Sequence, residues 1–411
     1  MTNTIKNNKK NNKKNSKKNT RKNTKKTTRN NNKYKFKNMK GGSKNFCNLI
    51  TEINYHGIQN IGNSCYMNSV IQMFWTIPEL RYQILNYIED TSVHPNTDIQ
   101  TLLDKQKTVI VYLKKIFDFF KNNDNNVVYL DETNLINLRK FFIDNSNRSV
   151  EDKLNETETI RQQDAEEFFE IISIIFTPTY MPKKDIAYTG SYAEPLIDLN
   201  GKYTQTTLDI CDFPLPQEIL NNNDNLRKTP KIDNAYILQV EVKGNTLSDC
   251  INSFIFGERM ESTNETDDNG NIKIKDNRIG NCLNATDEDL VIVKGVLKNK
   301  GPATRTIKIS NFSNNLIIQV KRFKTKVPFT GIKNIASITP DKELKINDTN
   351  FKLKGCIVHL GSSAGGGHYV YVIFDDNGEP IKEISDSTVS LINNSYNGYL
   401  TNGYIYYYRK I

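Results

Sequence analysis

Gly57-Ile-Gln-Asn-Ile-Gly-Asn-Ser-Cys-Tyr-Met-Asn-Ser-Val-Ile-Gln-Met-Phe-Trp75 runs from a polar, glycine-containing turn straight into an apolar helix, with a cysteine at the junction. Ser64 or Asn63 is placed to cap the helix, and Val70, Ile71 and Phe74 recur behind it at helical spacing. Cys65 therefore falls in or beside the first turn, where free backbone N–H groups and the positive end of the helix dipole favour a thiolate. A solitary cysteine is ordinarily a small buried hydrophobe. Here the polar or small residues Gly62 to Cys65, set before an amphipathic run, are better suited to exposing a thiol than to building a core. Asn60, a few residues upstream, can aim an amide N–H at the oxyanion of a tetrahedral intermediate.

The rest of the chain is compatible with a catalytic domain of ordinary kind. Its 411 residues suffice for one large domain or two smaller ones. The net charge of +10 conceals an asymmetry: residues 1–46 hold 17 Lys and Arg and no acid, so the remainder carries 39 basic against 46 acidic residues. This is an acidic body with a basic tail. The tail, almost entirely Lys, Asn and Thr, cannot bury apolar surface and is expected to be disordered. It suits a nuclear address, contact with nucleic acid or another acidic partner, or simple solvation. Six scattered cysteines with no C-x-x-C pair suggest neither a zinc ribbon nor a disulfide framework, and hence a reducing compartment. The longest apolar runs, such as Ile171 to Phe176, are too short to span a bilayer, and the N-terminus has no apolar signal core. The expectation is a soluble chain of the cytoplasm, with the nucleus open to it, and no membrane contact. The excess of Asn, Lys and Ile fits an AT-rich genome, as in some large viruses.

Beyond the opening stretch, helices are expected over Glu79 to Asn86, Thr101 to Lys121 and Leu130 to Asp144, then a polar loop to about Arg161. Arg161-Gln-Gln-Asp-Ala-Glu-Glu-Phe-Phe-Glu170, running on to Phe176, reads as an amphipathic helix with acids in its first turn. From about 177 the texture becomes β-like, with runs at Tyr203 to Ile210 and Ala235 to Val242, and a loop or hairpin tip at 261–280. Strands follow at Leu316 to Phe323, Phe351 to Leu360, Tyr369 to Phe374 and Tyr404 to Tyr408, a set suited to an antiparallel sheet.

A cysteine nucleophile needs a base, and the chain offers four histidines. His94 lies in a polar loop and His56 precedes the cysteine turn with nothing to fix it. His359 falls in an apolar strand, where a satisfied structural histidine belongs. His368 follows the glycine loop Gly361-Ser-Ser-Ala-Gly-Gly-Gly367 and opens a strand, the setting of a loop-presented base. A third residue to orient the imidazole is available in Ile384-Ser-Asp-Ser-Thr-Val389.

Over residues 57–411 the sequence resembles the ubiquitin-specific proteases, papain-like deubiquitinating cysteine peptidases. Gly57 to Ser69 resembles the family's Cys box, and Gln162-Gln-Asp-Ala-Glu-Glu-Phe-Phe169 its Gln-Gln-Asp-Ala-x-Glu-Phe segment. Leu316 to Phe323 resembles a sheet strand of the family, and Gly367-His-Tyr-Val-Tyr-Val372 its His box. Ser385 to Ser390 and Gly403 to Tyr408 resemble its end, and the order and spacing agree.

The resemblance implies an α+β fold shaped like a right hand: a helical thumb at about 57–176, β-rich fingers at 177–310 and a palm sheet at 311–411. It implies ubiquitin and ubiquitinated proteins as partners, with the ubiquitin tail threaded between thumb and palm. Cys65 would attack the terminal glycine carbonyl to form a thioester, His368 would move the proton, and Asn60 would serve the oxyanion. Asp164 and Glu167 would line the channel for the arginine-bearing tail, and Gly366 and Gly367 would belong to a flap over it. Two positions depart from the family. Many members hold a structural zinc through C-x-x-C pairs in the fingers; this chain has none, so metal-free fingers and no cofactor are expected. The residue that orients the histidine, usually Asp or Asn, aligns with Ser385, with Asp386 next to it, and either can reach His368. An inactive ubiquitin-binding scaffold of the same fold is the alternative, and a nucleic-acid role for the basic tail is a third reading.

Overall fold

The computed structural model describes residues 53–411 apart from 90, 92, 123–130, 156–160, 177–178, 182–190, 194–195, 212–230, 257, 261, 267–271, 277–278, 281–289, 294–295, 302, 325–331, 364–365 and 393–399. The basic tail, Cys47 and Cys282 lie outside these residues.

Helix α1, Cys65–Thr76, is the hub. Every one of its residues is buried, including Asn68, Ser69, Gln72 and Thr76. It is thus apolar on one side and polar yet buried on the other. The polar side chains are tolerated because each finds a partner: Gln72 donates to the His56 carbonyl (2.6 Å), Ser69 to Tyr66 O and Thr76 to Gln72 O. Around α1 stand α2 (Pro78–Leu85), α3 (Thr97–Asn122), α4 (Glu132–Asn145), α5 (Val150–Leu154) and α6 (Ala165–Ile172). The apolar face of α3, Leu113, Ile116, Phe117 and Phe120, is fully buried, as its periodicity predicts. Three helix starts are explained by side-chain caps: Asp131 accepts from Thr133 N–H, Ser149 from Asp152 N–H and Asp164 from Glu166 N–H. The last of these shortens the expected 161–176 helix, because Asp164 ends the extended approach and α6 begins only at Ala165.

The strands used below are β1 (Tyr203–Cys211), β2 (Lys231–Ala235), β3 (Leu238–Glu241), β4 (Glu258–Met260), β5 (Ala303–Ser310), β6 (Asn315–Lys321), β7 (Phe323–Lys324), β8 (Ile332–Lys333), β9 (Glu343–Ile346), β10 (Thr349–Ser363), β11 (Gly366–Phe374), β12 (Pro380–Ser385), β13 (Thr388–Leu391) and β14 (Gly403–Lys410). The main sheet has the order β13-β12-β11-β10-β14-β6-β3, with β7 pairing β8, and β8 and β9 pairing β10. A smaller sheet, β2-β1-β5-β4, and a hairpin of 262–266 with 272–276 form the β-rich middle of the chain.

The four strands expected to form an antiparallel sheet do so, β6 with β14, β14 with β10 and β10 with β11. The sheet also takes in a parallel neighbour, since β3 runs parallel to β6 (Leu238 beside Ile318, Val240 beside Val320). Parallel neighbours need a long crossover, and the chain supplies one by leaving β3 into helix α7, Leu247–Phe256, which the β-like texture of that region concealed.

The solidly apolar strands follow from burial on both faces. Ile317, Ile357, Tyr369, Tyr371, Ile405 and Tyr407 pack with α1 and the other helices, while Leu316, Ile318, Cys356, Val358, Val370, Val372, Tyr406 and Tyr408 pack on the opposite side with Leu247, Cys250 and Ile251. At about 25 cal/mol per Å² such double-sided burial dominates the stability of the sheet. Among the described residues no helix is long and apolar enough to cross a membrane, and no group of three or more His, Cys, Asp or Glu is gathered for a metal.

Candidate active site

Gly62 (φ +88°) and Asn63 (φ +50°) turn the chain through two consecutive left-handed residues into α1. Arg139 of α4 fastens this turn by donating to the carbonyls of Ile61 (3.1 Å) and Gly62 (2.7 Å). Ser64 occupies the N-cap position of α1 but makes no side-chain cap bond, and its Oγ accepts from Ile61 N–H instead. The helix start is left uncapped by side chains, and Cys65 opens it. Cys65 is only 3 % exposed. Burial pushes its thiol up, backbone groups of Tyr369, Tyr66 and Cys65 itself pull it down, and the Asp386 carboxylate pushes it up again. The resting site therefore favours the thiol over the thiolate.

Tyr369, whose backbone faces the Cys65 sulfur, directly follows His368 on β11. Nε2 of His368 lies 2.8 Å from Ser385 Oγ, at the end of β12. With Nε2–H donating to the hydroxyl, Nδ1 is the ring nitrogen left with a lone pair. Asp386, the expected support or substitute for Ser385 in orienting the ring, is engaged with other partners. It adopts φ +48°, and its carboxylate accepts from Asn60 Nδ2 (2.8 Å) and Asn68 Nδ2 (2.7 Å), while its carbonyl accepts from Ile58 N–H (2.8 Å). Gly57 passes so close to this turn that a Cβ there would stand 2.2 Å from the Ser387 carbonyl carbon. The cysteine turn and the 385–388 turn are thus one unit. Asn60 is oriented at both ends, its Oδ1 accepting from Ser64 N–H (3.1 Å).

The other histidines separate cleanly. His56 stacks on Phe120 and meets Phe119 edge-on, and His94 Nδ1 accepts from Asn96 N–H. His359 is fully buried between Phe323 and Tyr369, yet neither ring nitrogen has a hydrogen-bond partner. It is structural, as its strand suggests, but not satisfied. Burial first, then the charges of Lys333 and His368, push it down to about 4.

Asp164 caps α6 and takes the Tyr404 hydroxyl on both carboxylate oxygens at 2.9 Å. Burial pushes it up to about 6. Both oxygens of Glu167 are engaged by Arg148, at 3.1 and 2.9 Å. Glu166, absent from the sequence-based set, lines a cleft of about 640 Å³ with Glu167, Glu170, Tyr236 and Gln239. Burial and the Asp164 charge push it up to about 7, and Gln239 donates to it at 3.0 Å. Its acidity beside two further acids was the available signal. Gly366 and Gly367 do not sit in a free loop: β10 and β11 extend into the glycine segment as a hairpin with a register shift between Leu360 and Ser363.

The architecture has a counterpart among solved structures. The SAGA Ubp8/Sgf11/Sus1/Sgf73 DUB module bound to ubiquitin aldehyde superposes with a TM-score of 0.56 at 18% identity, over 87% of this chain and 70% of that one. The sequence model described as ubiquitin carboxyl-terminal hydrolase matches residues 56–408, and the chain belongs to that family. Ubiquitin carboxyl-terminal hydrolase 48 of Danio rerio is 22% identical over 78% of this chain, and ubiquitin carboxyl-terminal hydrolase 4 of Arabidopsis thaliana 24% identical over 87%. The chain spans about a quarter (25%) of the zebrafish relative and 93% of the plant one.

Proposed function

We propose that this chain is an intracellular thiol peptidase that hydrolyses the peptide or isopeptide bond after the C-terminal glycine of ubiquitin. The observation carrying this reading is the pairing of His368 Nε2 with Ser385 on the residue next to Tyr369, whose backbone meets the Cys65 sulfur. In this mechanism Nδ1 of His368 takes the thiol proton as Cys65 attacks the glycine carbonyl. Charge develops on the carbonyl oxygen at the uncapped start of α1, where backbone N–H groups and the second amide hydrogen of Asn60 can serve it. Collapse to the thioester expels the amine, which takes the proton from His368. Water then attacks the thioester, gives a proton to His368, and leaves a free carboxylate and the restored thiol.

Helices α1–α6 are read as the thumb and the main sheet as the palm, with the ubiquitin tail lying in the cleft at Glu166 and Glu167 under the Gly366–Gly367 hairpin. Asp164 would act from behind, as the cap that places α6. The basic tail is read as an accessory arm for acidic partners, not as part of the site. The rival reading, a ubiquitin-binding scaffold, draws on the raised Cys65 thiol and on the Asn60 amide held by Asp386. Labelling with ubiquitin bearing a C-terminal electrophile separates the two. The wild-type chain is expected to form a covalent adduct and Cys65→Ala none; a wild-type chain that binds ubiquitin without an adduct is the scaffold.

A further inference from the structure

Beneath the glycine hairpin lies a charge that the proposed reaction does not use. Lys333 of β8 is 4 % exposed, and its ammonium donates to the carbonyls of His359 (2.6 Å) and Gly361 (3.0 Å). Among the described residues no carboxylate pairs with it. Burying an ammonium without a counter-charge is expensive, and burial followed by the Arg322 guanidinium pulls it down to about 8. A neutral residue of similar length would fill the same space more cheaply, so the two carbonyls call for a geometric explanation.

Those carbonyls flank Leu360, whose partner across the ladder is His368, and just beyond this pair the register slips. The slip occurs where two glycines cross. Gly361 (φ +145°) and Gly367 (φ +139°) stand so close that a Cβ on the first would lie 2.8 Å from the Cα of the second, and one on Gly367 would lie 2.4 Å from Leu360 O. Backbone in this conformation has no regular ladder to fix it. Strand β8 meets it through the Ile332–Ser363 bridge and through the Lys333 side chain.

We propose that Lys333 is a positioning residue for His368: by tying the carbonyls on either side of Leu360 it sets the bulge that fixes where the imidazole stands. This rests on the peptidase reading of the site. Lys333 is buried and its ammonium is engaged by two backbone carbonyls, so its loss should slow turnover without weakening substrate binding.

The test is steady-state hydrolysis of a ubiquitin C-terminal fluorogenic amide by the full chain at 20 °C, with Tm measured alongside. Lys333→Met is expected to lower kcat at least tenfold with KM within twofold of wild type. Lys333→Arg, which keeps a cationic donor, is expected to recover kcat to within about threefold. A Lys333→Met enzyme with kcat within twofold of wild type overturns the proposal. So does a fall in kcat matched by an equal rise in KM, or one that Lys333→Arg does not recover. If Lys333→Met fails to fold, Lys333→Leu, which likewise lacks a donor, is judged by the same kcat and KM limits. Absence of turnover in the wild type itself removes the peptidase reading, and with it this one, whereas an active wild type with an indifferent Lys333→Met removes the lysine's role alone.

Discussion

The Ser385 hydroxyl lies 2.8 Å from Nε2 of His368, so a neutral group stands where a carboxylate would also stabilise an imidazolium. A hydroxyl can fix the tautomer but adds no charge. Ser385→Ala is therefore expected to lower kcat by about 10- to 100-fold, equivalent to about 1.4–2.7 kcal/mol of barrier, with KM little changed. Ser385→Asn, which keeps an acceptor, should stay within about threefold of wild type. Steady-state kinetics on a ubiquitin amide decide it, and an unaffected Ser385→Ala would take the hydroxyl out of the mechanism.

Asp386 acts on the other side of the site, as the clasp between Asn60, Asn68 and the Ile58 amide. Removing the carboxylate leaves Asn60 Nδ2 without its acceptor and Asn68 Nδ2 with only the carbonyls of Ile58 and Gln59 as main acceptors, so Asp386→Ala should reduce both Tm and kcat. Because Asn60 and Asp386 act as one unit, the double variant Asn60→Ala/Asp386→Ala is expected to be scarcely worse in kcat than Asp386→Ala alone. Additive losses would mean that Asn60 works independently of the clasp.

How far the sequence reaches depends on how local each determinant is. The α1 start, the α3 face and the paired strands were legible because periodicity and turn residues act over a few neighbours. Asp386 was not: one carboxylate near residue 386 looks equally able to serve His368 or Asn60, and only the approach of Gly57 to Ser387 decides between them. Helix α7 was hidden by the short, polar texture around it, and the parallel β3 pairing by the length of its crossover. Arg148 on Glu167 and Lys333 under the glycine hairpin are contacts between segments with no shared pattern, and no spacing announces them.

Gly367 tests the hairpin directly. Its φ of +139° is one that side-chain-bearing residues rarely adopt, and a Cβ would lie 2.4 Å from the Leu360 carbonyl oxygen. Gly367→Ala must move β11 where His368 leaves it. The expected result is a loss of kcat of more than about tenfold, about 1.4 kcal/mol of barrier or more, in a protein whose circular dichroism is unchanged. Wild-type turnover in this variant would show that the backbone there is not part of the catalytic geometry.

Glu166 gives stability a pH dependence of unusual sign. Its carboxyl is pushed from 4.5 up to about 7, first by burial and then by Asp164. The folded state thus keeps a proton that the unfolded chain releases. The stability this brings is fully present below about pH 4.5 and is lost as pH rises through 7. The whole effect is at most about 3 kcal/mol. Glu166→Gln lacks it, so between pH 5 and pH 8 the wild type should lose about 2–6 °C of Tm relative to the variant. Parallel melting curves would place the carboxylate in solvent.

His359 carries the opposite dependence, and two magnitudes decide its sign at neutral pH. Its ring nitrogens are buried without partners, a penalty of about 1–3 kcal/mol that His359→Leu would relieve. The same change removes aromatic contacts with Phe323 and Tyr369, at 5.2 and 4.6 Å between centroids, which contribute about 0.5–1.5 kcal/mol each. The two nearly cancel, so at pH 7.5 the variant should melt within about 2 °C of wild type. In acid they no longer cancel. The imidazole is held at about 4 in the folded chain against 6.5 when free, so the unfolded state takes up a proton that the native state refuses. The stability of neutral His359 is complete above pH 6.5 and is lost as pH falls towards 4, by up to about 3 kcal/mol. Leucine has nothing to protonate. Urea melts at pH 7.5 and 4.5 should therefore show similar midpoints at the higher pH and a clear advantage for His359→Leu at the lower. A variant that weakens in acid as fast as wild type would mean that the imidazole is free to ionise in the folded protein, and hence that the space beneath the Gly361–Gly367 crossing opens to water.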